Sequence, residues 1–179
     1  MRSSTVRVYI PATVAMLRTL VADGELHPVS RTAFAVTPSL REAYSSGDDE
    51  ELAEVAMNEA ARASLRLIAA GIEDETDAGV VDGGVVNRRA VIAADVEDPT
   101  LRPDLDDAVV RLKNPLRMDE VASVHLDLEG AEDAVGKAVA VVDAADVGDP
   151  DAEFVLGDAE DHSLAWYATQ ELPFLLALL

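Results

Sequence analysis

The sequence predicts a single α/β domain over residues 1–179, with a mixed sheet of about five strands packed with helices. Three observations predict it. Val6, Val8 and Ile10 alternate with Arg7 and Tyr9 at the period of a half-buried strand. Apolar residues recur at helical spacing from Val14, from Leu52 and from Ala131 onward. Between them, Arg89 to Val96 is nearly continuous apolar sequence. That is the pattern of a strand buried on both faces, and it favours a parallel arrangement with helices on either side. No internal repeat or linker divides the chain.

Taken in order, Pro11 ends the first strand and Thr13 caps a helix. Val14, Leu17, Leu20 and Val21 form its stripe, and Asp23-Gly24 stops it. Ala33 to Val36 reads as a second strand, and Thr37-Pro38 opens a short helix ending near Tyr44, since proline at the first helical position loses no hydrogen bond. Asp48 and Glu51 resemble a capping box for a long helix that turns Leu52, Val55, Ala56, Ala60, Ala63 and Leu67 to one side. Residues 72–87, acidic and glycine-containing without a period, read as a flexible surface loop. After the buried strand, Val110 with Leu112 and Val124 with Leu126 and Leu128 alternate as two more strands, joined by a turn at Asn114-Pro115 and a brief helix near Asp119. Ala131, Val135, Ala138, Val142 and Ala145 keep helical spacing. An acidic break at Asp146 to Asp151 follows, and Ala159 to Leu179 is expected to be helical.

Composition narrows the function classes. With 49% hydrophobic residues against 27% charged ones, the chain folds rather than staying disordered. It has no cysteine, which removes disulfide frameworks, thiolate metal sites and cysteine nucleophiles and fits a reducing, cytoplasmic setting. A formal net charge of -21 argues against binding a nucleic-acid backbone. The carboxylates are unevenly placed, because Arg2, Arg7, Arg18, Arg31 and Arg41 outnumber Asp23, Glu25 and Glu42 in the first 45 residues. Apolar residues never run for eighteen positions, so no membrane-spanning helix is expected. The stretch after Arg7 is no signal peptide, since Pro11, Thr13 and Arg18 interrupt it.

His162 heads the candidate functional residues. On a helix, Asp158 and Asp161 before it and Trp166, Tyr167 and Gln170 after it would place a carboxylate, an imidazole, a phenol and an amide on one face. Asp161 would orient His162 as a general base, or Asp158 and His162 would ligate a metal. The plainer alternative has the aspartates favouring the dipole of a helix's first turn while His162 and Tyr167 pack structurally. Asp95, Glu97, Asp98, Asp104, Asp106 and Asp107 follow the buried strand, where α/β proteins place ligands, but they lack the calcium-loop spacing and read better as a solvated loop. Arg62 and Arg66, one turn apart after Asn58 and Glu59, offer an anion pocket or simply meet nearby carboxylates, as do Arg88 and Arg89. The apolar terminus, Leu172 to Leu179, is expected to close the core together with Trp166 and Phe174, with a dimer contact as the alternative. No nucleotide-binding, hydrolase or metalloprotease motif occurs.

The segments RVYIPAT, AFAVTPSLREAY, EAARASLRL, RRAVIAADV and DAEDHSLAWYATQELPFLL resemble an uncharacterised family of small actinobacterial proteins, over nearly the whole chain. That resemblance implies one bacterial domain and brings no activity, cofactor or catalytic residue with it. The leading expectation is therefore a non-catalytic, acidic interaction module whose partner has a basic surface, or which forms a homodimer, with no cofactor or metal. The alternative is a small-molecule enzyme or binding protein using the face that carries His162 and Tyr167. A pocket where His162 meets polar groups from other elements favours the alternative; a flat apolar patch edged by carboxylates favours the module.

Overall fold

The computed structural model describes residues 4–77 and 86–179. Strands β1 (Thr5–Ala12), β2 (Glu25–Leu26), β3 (Thr32–Phe34), β4 (Ala90–Glu97), β5 (Thr100–Leu101), β6 (Val109–Arg111), β7 (Leu116–Arg117), β8 (Val121–Leu126) and β9 (Ala165–Ala168) are interleaved, among the described residues, with six helices. These are α1 (Val14–Asp23), α2 (Pro38–Ala43), α3 (Asp49–Asp77), α4 (Glu132–Asp146), α5 (Pro150–Glu160) and α6 (Leu172–Ala177). The main sheet has the order β5-β6-β3-β1-β4-β8-β9, and β2 pairs with β7 in a small second sheet.

The α/β class and the helix starts follow the sequence closely. Thr13 accepts a hydrogen bond from the Met16 amide at 3.2 Å, Thr37 one from Leu40 at 3.0 Å and Asp48 one from Glu51 at 2.9 Å. Gly24, at φ 75°, closes α1 in the left-handed conformation that a side chain resists.

The sheet differs from expectation in number and direction: among the described residues it has seven strands, and every ladder is antiparallel. The reason is visible in β4. Its Ala90, Ile92 and Ala94 enter the core under α1 and α6 while Val91 enters the one under α2 and α3. Helices cover both faces, so an antiparallel strand carries the continuous apolar sequence usually read as parallel. Nor does Pro11 end β1, which pairs with β4 from Thr5↔Glu97 to Ala12↔Ala90. The ladder to β3 has only the pair Tyr9↔Phe34, which leaves room for a residue without an amide proton.

Three further expectations change. The buried face of α3 is Leu52, Ala56, Ala60, Ser64, Leu65 and Ile68, with Leu67 only half-buried. The acidic stretch 72–87 is helical as far as Asp77, and its part from 78 to 85 lies outside the described residues. Most consequential, Ala159 to Leu179 is not one helix. Asp149 caps α5, accepting from the amides of Asp151 and Ala152 with Pro150 at its first position. The chain leaves the helix after Glu160, turns through His162 to Leu164, and adds β9 to the sheet. A four-residue strand with alanine at both ends is too short to show alternation. At the terminus Leu172 and Leu176 are buried beside Leu17 and Leu20, as expected, but Trp166 and Phe174 are 61% and 77% exposed and close nothing.

Candidate functional site

The site is built on a buried ion pair. Arg89 precedes β4 and Asp127 follows β8, and the Asp127 amide donates to the Arg89 carbonyl at 3.0 Å. The Arg89 Nε and Nη2 each donate to one Asp127 carboxylate oxygen at 2.8 Å, and the Arg89 amide adds a third bond at 2.8 Å. The aspartate side chain has no exposure at all. Such a pair gains little net stability over apolar packing because both ions lose their water, yet it specifies geometry. Here Arg89 Nη2 also donates to the carbonyl of His162 at 2.7 Å. That bond fixes the turn between α5 and β9 against the sheet.

Beside this turn opens a cleft of about 410 Å³. One wall is the flank of α3 carrying Glu54, Asn58, Glu59 and Arg62; the other is Glu160 with His162, Ser163 and Leu164, and Arg89 and His125 line it from the sheet. His125 lies on the α3 face of β8, with Nε2 at 3.0 Å from the hydroxyl of Ser123 two residues earlier. Burial, aided by the charge of Arg7, lowers its pKa and favours the neutral imidazole. Glu59 is shifted the other way. Burial, with the charges of Asp106 and Glu160, raises its pKa against the opposing pull of Arg66 and Arg62.

The arginines of the cleft are already neutralised. Arg62 donates to Asp146 at 3.1 Å and to Glu153 at 2.8 Å, and Arg66 holds the same Asp146 at 2.7 Å. This network ties α3 to the helical hairpin of α4 and α5, and the bond to Glu153 is the main reason the Arg62 pKa is raised. By contrast Glu54, Glu59 and Glu160 meet no cation within salt-bridge distance among the described residues. Two imidazoles and three carboxylates without a salt-bridge partner therefore face a space whose arginines are paired elsewhere.

His162, Arg62 and Arg89, with Asn58 and Glu59, are the sequence candidates that this cleft brings together. Asp158 and Asp161 sit at the end of α5 rather than in a first turn, where the helix dipole disfavours their charge. Trp166 and Tyr167 are neighbours on β9 and point to opposite faces, Tyr167 packing against the core on the α1 side and Trp166 lying opposite His125. Gln170 is exposed in the 3-10 turn Thr169–Glu171, and Arg66 serves the hairpin network. The carboxylates at the end of β4 and beyond it do not converge: Asp95 pairs with Arg7, Asp98 with Lys113 and Asp104 with Arg102. Among the described residues no three His, Asp or Glu side chains form a group able to hold a metal ion. His125 was hidden in the sequence, because its alternation with Val124 and Leu126 marks only the polar side of a strand. Glu59 had a signal in its place beside Arg62.

Residues 6–176 match a protein family described as a family of unknown function, DUF6912, and the chain belongs to that family. No curated protein and no solved structure matches it.

Proposed function

We propose that this member of the DUF6912 family is a binding protein for a small, positively charged organic molecule such as an amine, held between α3 and the His162 turn. One observation carries the reading: the cleft's arginines are neutralised within the protein, while Glu54, Glu59 and Glu160 are not. A bound ammonium group would remove that imbalance, and Glu160 stands at the negative end of α5, where cations are favoured. His125 and His162 add nitrogen atoms for hydrogen bonding. The proposal invokes no metal or cofactor and assigns no catalytic step. Isothermal titration with a panel of small amines, beside carboxylates and phosphates of equal size, tests it. Saturable binding of an amine, weakened at least tenfold by Glu59→Gln, is expected; preference for anions, or no binding across the panel, rejects it.

A second reading, an acidic interaction module, is favoured by a different observation: Trp166 is 61% exposed on the last strand of the sheet in a chain of net charge -21. Its partner would carry a basic surface. For either reading we propose a cytoplasmic location, which the absence of cysteine supports. Among the described residues no helix is long and apolar enough to cross a membrane. An actinobacterial origin, drawn from the sequence resemblance, belongs to the same proposal.

A further inference from the structure

We propose that the outer edge of β9 docks an extended, basic polypeptide segment, which adds to the sheet as its next strand. This rests on the second reading above and shares only Glu160 with the cleft. β9 is last in the strand order and has β8 on one side only among the described residues.

The backbone groups it presents follow from the register. The Asp127 amide donates to Arg89, so by alternation His125 also faces β4 while Val124 and Leu126 face β9. Their partners Tyr167 and Ala165 direct their amides and carbonyls toward β8. Both groups of Trp166 and the amide of Ala168 point outward, while the Ala168 carbonyl is taken up by the 3-10 turn Thr169–Glu171. Edge strands are ordinarily guarded by shortness, lysine, proline or a bulge, and of these β9 has only its length of four residues. It exposes a tryptophan instead, the residue type most enriched where binding energy concentrates.

Charge selects the occupant. Asp158, Glu160 and Asp161 precede the strand, Glu171 follows it, and all four are exposed. None is within salt-bridge distance of a cation among the described residues. The first three crowd the negative end of α5. A second copy of this chain would bring the same carboxylates together, with -21 on each copy, and is disfavoured. A segment alternating lysine with β-branched residues satisfies both the open hydrogen bonds and the charge.

The probe is the blocked peptide Lys-Val-Lys-Val-Lys-Val-Lys, followed by the emission of Trp166, the only tryptophan in the chain. A saturable spectral shift is expected, absent with the glutamate analogue. Ala168→Pro removes one outward amide and leaves the β8 ladder intact, because Ala168 already has the φ of -67° that proline requires. It should weaken binding at least tenfold with unchanged thermal stability. The fully N-methylated peptide, tested on the unaltered protein, should not bind, whatever happens to the variant. Equal binding of the methylated peptide would mean docking by charge alone, overturning strand addition but sparing the interaction reading. No binding by either lysine peptide, or preference for the glutamate analogue, overturns both.

Discussion

The two faces of the main sheet are built from the same strands but with different chemistry. Under α1 and α6 the interior is Val8, Ile10, Leu17, Leu20, Ile92, Leu126 and Leu172, apolar throughout. Under α3 the apolar contacts are interrupted by directional groups. Arg89 is locked to Asp127, and Ser64 donates to the Ala12 carbonyl at 2.7 Å while accepting from the Ala90 amide at 3.1 Å. Arg62 and Arg66 grip the helical hairpin, and His125 rests on Ser123. Apolar burial is non-directional and tolerates adjustment, whereas a buried hydrogen-bonded charge permits one arrangement. The first face holds the molecule together; the second holds particular atoms in place, and the cleft opens there.

The sharpest way to break this contrast is Asp127→Ala. It strands the Arg89 guanidinium in the interior, and breaking a buried pair by removing one partner costs about 3–5 kcal/mol. Urea unfolding should show that loss, and the double variant Arg89→Met with Asp127→Leu should recover most of it. If the double variant is as unstable as the single one, the pair is a source of stability rather than of geometry. On the apolar face Leu172→Ala should cost about 2 kcal/mol, the low end for a buried leucine because a terminal helix can relax into the gap. Phe174→Ser, at an exposed position of the same helix, should stay within about 0.5 kcal/mol of the parent. Neither change should affect ligand binding in the cleft.

The same contrast explains what was legible in the sequence. The apolar face depends on periodicity and caps, which are local: Thr13, Gly24, Val8, Ile10 and the α1 stripe all announce themselves. The polar face depends on meetings between distant residues. Arg89 finds Asp127 38 positions later and the carbonyl of His162 73 positions later. Nothing near Asp127 in sequence distinguishes it from the other carboxylates of so acidic a chain. Ala159 to Leu179 departs from the expected helix for a local reason, since Asp149-Pro150 is a strong helix start lying within a run that resembles an acidic break. Once α5 begins there, the chain past Glu160 is free to form β9, and the face expected to carry Asp158, His162, Tyr167 and Gln170 dissolves.

A smaller effect, in pH, separates the faces further. Among the described residues the buried side chains of the apolar face carry no titratable group. Between α3 and the hairpin, bonding to Arg66 and Arg62 holds the Asp146 carboxyl below the usual aspartate range. A depressed folded-state pKa contributes stability that is fully present above the unfolded value and lost as the pH falls through the folded one. Unfolding free energies measured from about pH 5 downward should therefore decline, starting near the ordinary aspartate pKa of about 3.9. Arg66→Met should flatten that decline by roughly 1 kcal/mol or less, since the pair is partly exposed. An unchanged acid limb in the variant would remove Asp146 from the account.

The smallest predicted effect has the opposite sign and bears on the cleft itself. Glu59 is held above the usual glutamate range by burial and by the neighbouring carboxylates Asp106 and Glu160. Its charge is thus better accommodated in the unfolded chain, and the fold loses stability as the pH rises from the ordinary value of about 4.3 through the raised one. A glutamine at this position would have no proton to lose. Glu59→Gln should match the parent below about pH 4, where both side chains are neutral, and exceed it at neutral pH. The gap between the two stability curves should open with rising pH and then stay constant once Glu59 is ionised in both states. An amine bound in the cleft favours the ionised carboxylate and should narrow the gap at neutral pH, because it stabilises the parent and has less to hold in the variant. Curves that coincide at every pH would show that Glu59 is well solvated, and the argument for a cation in the cleft would lose its central carboxylate.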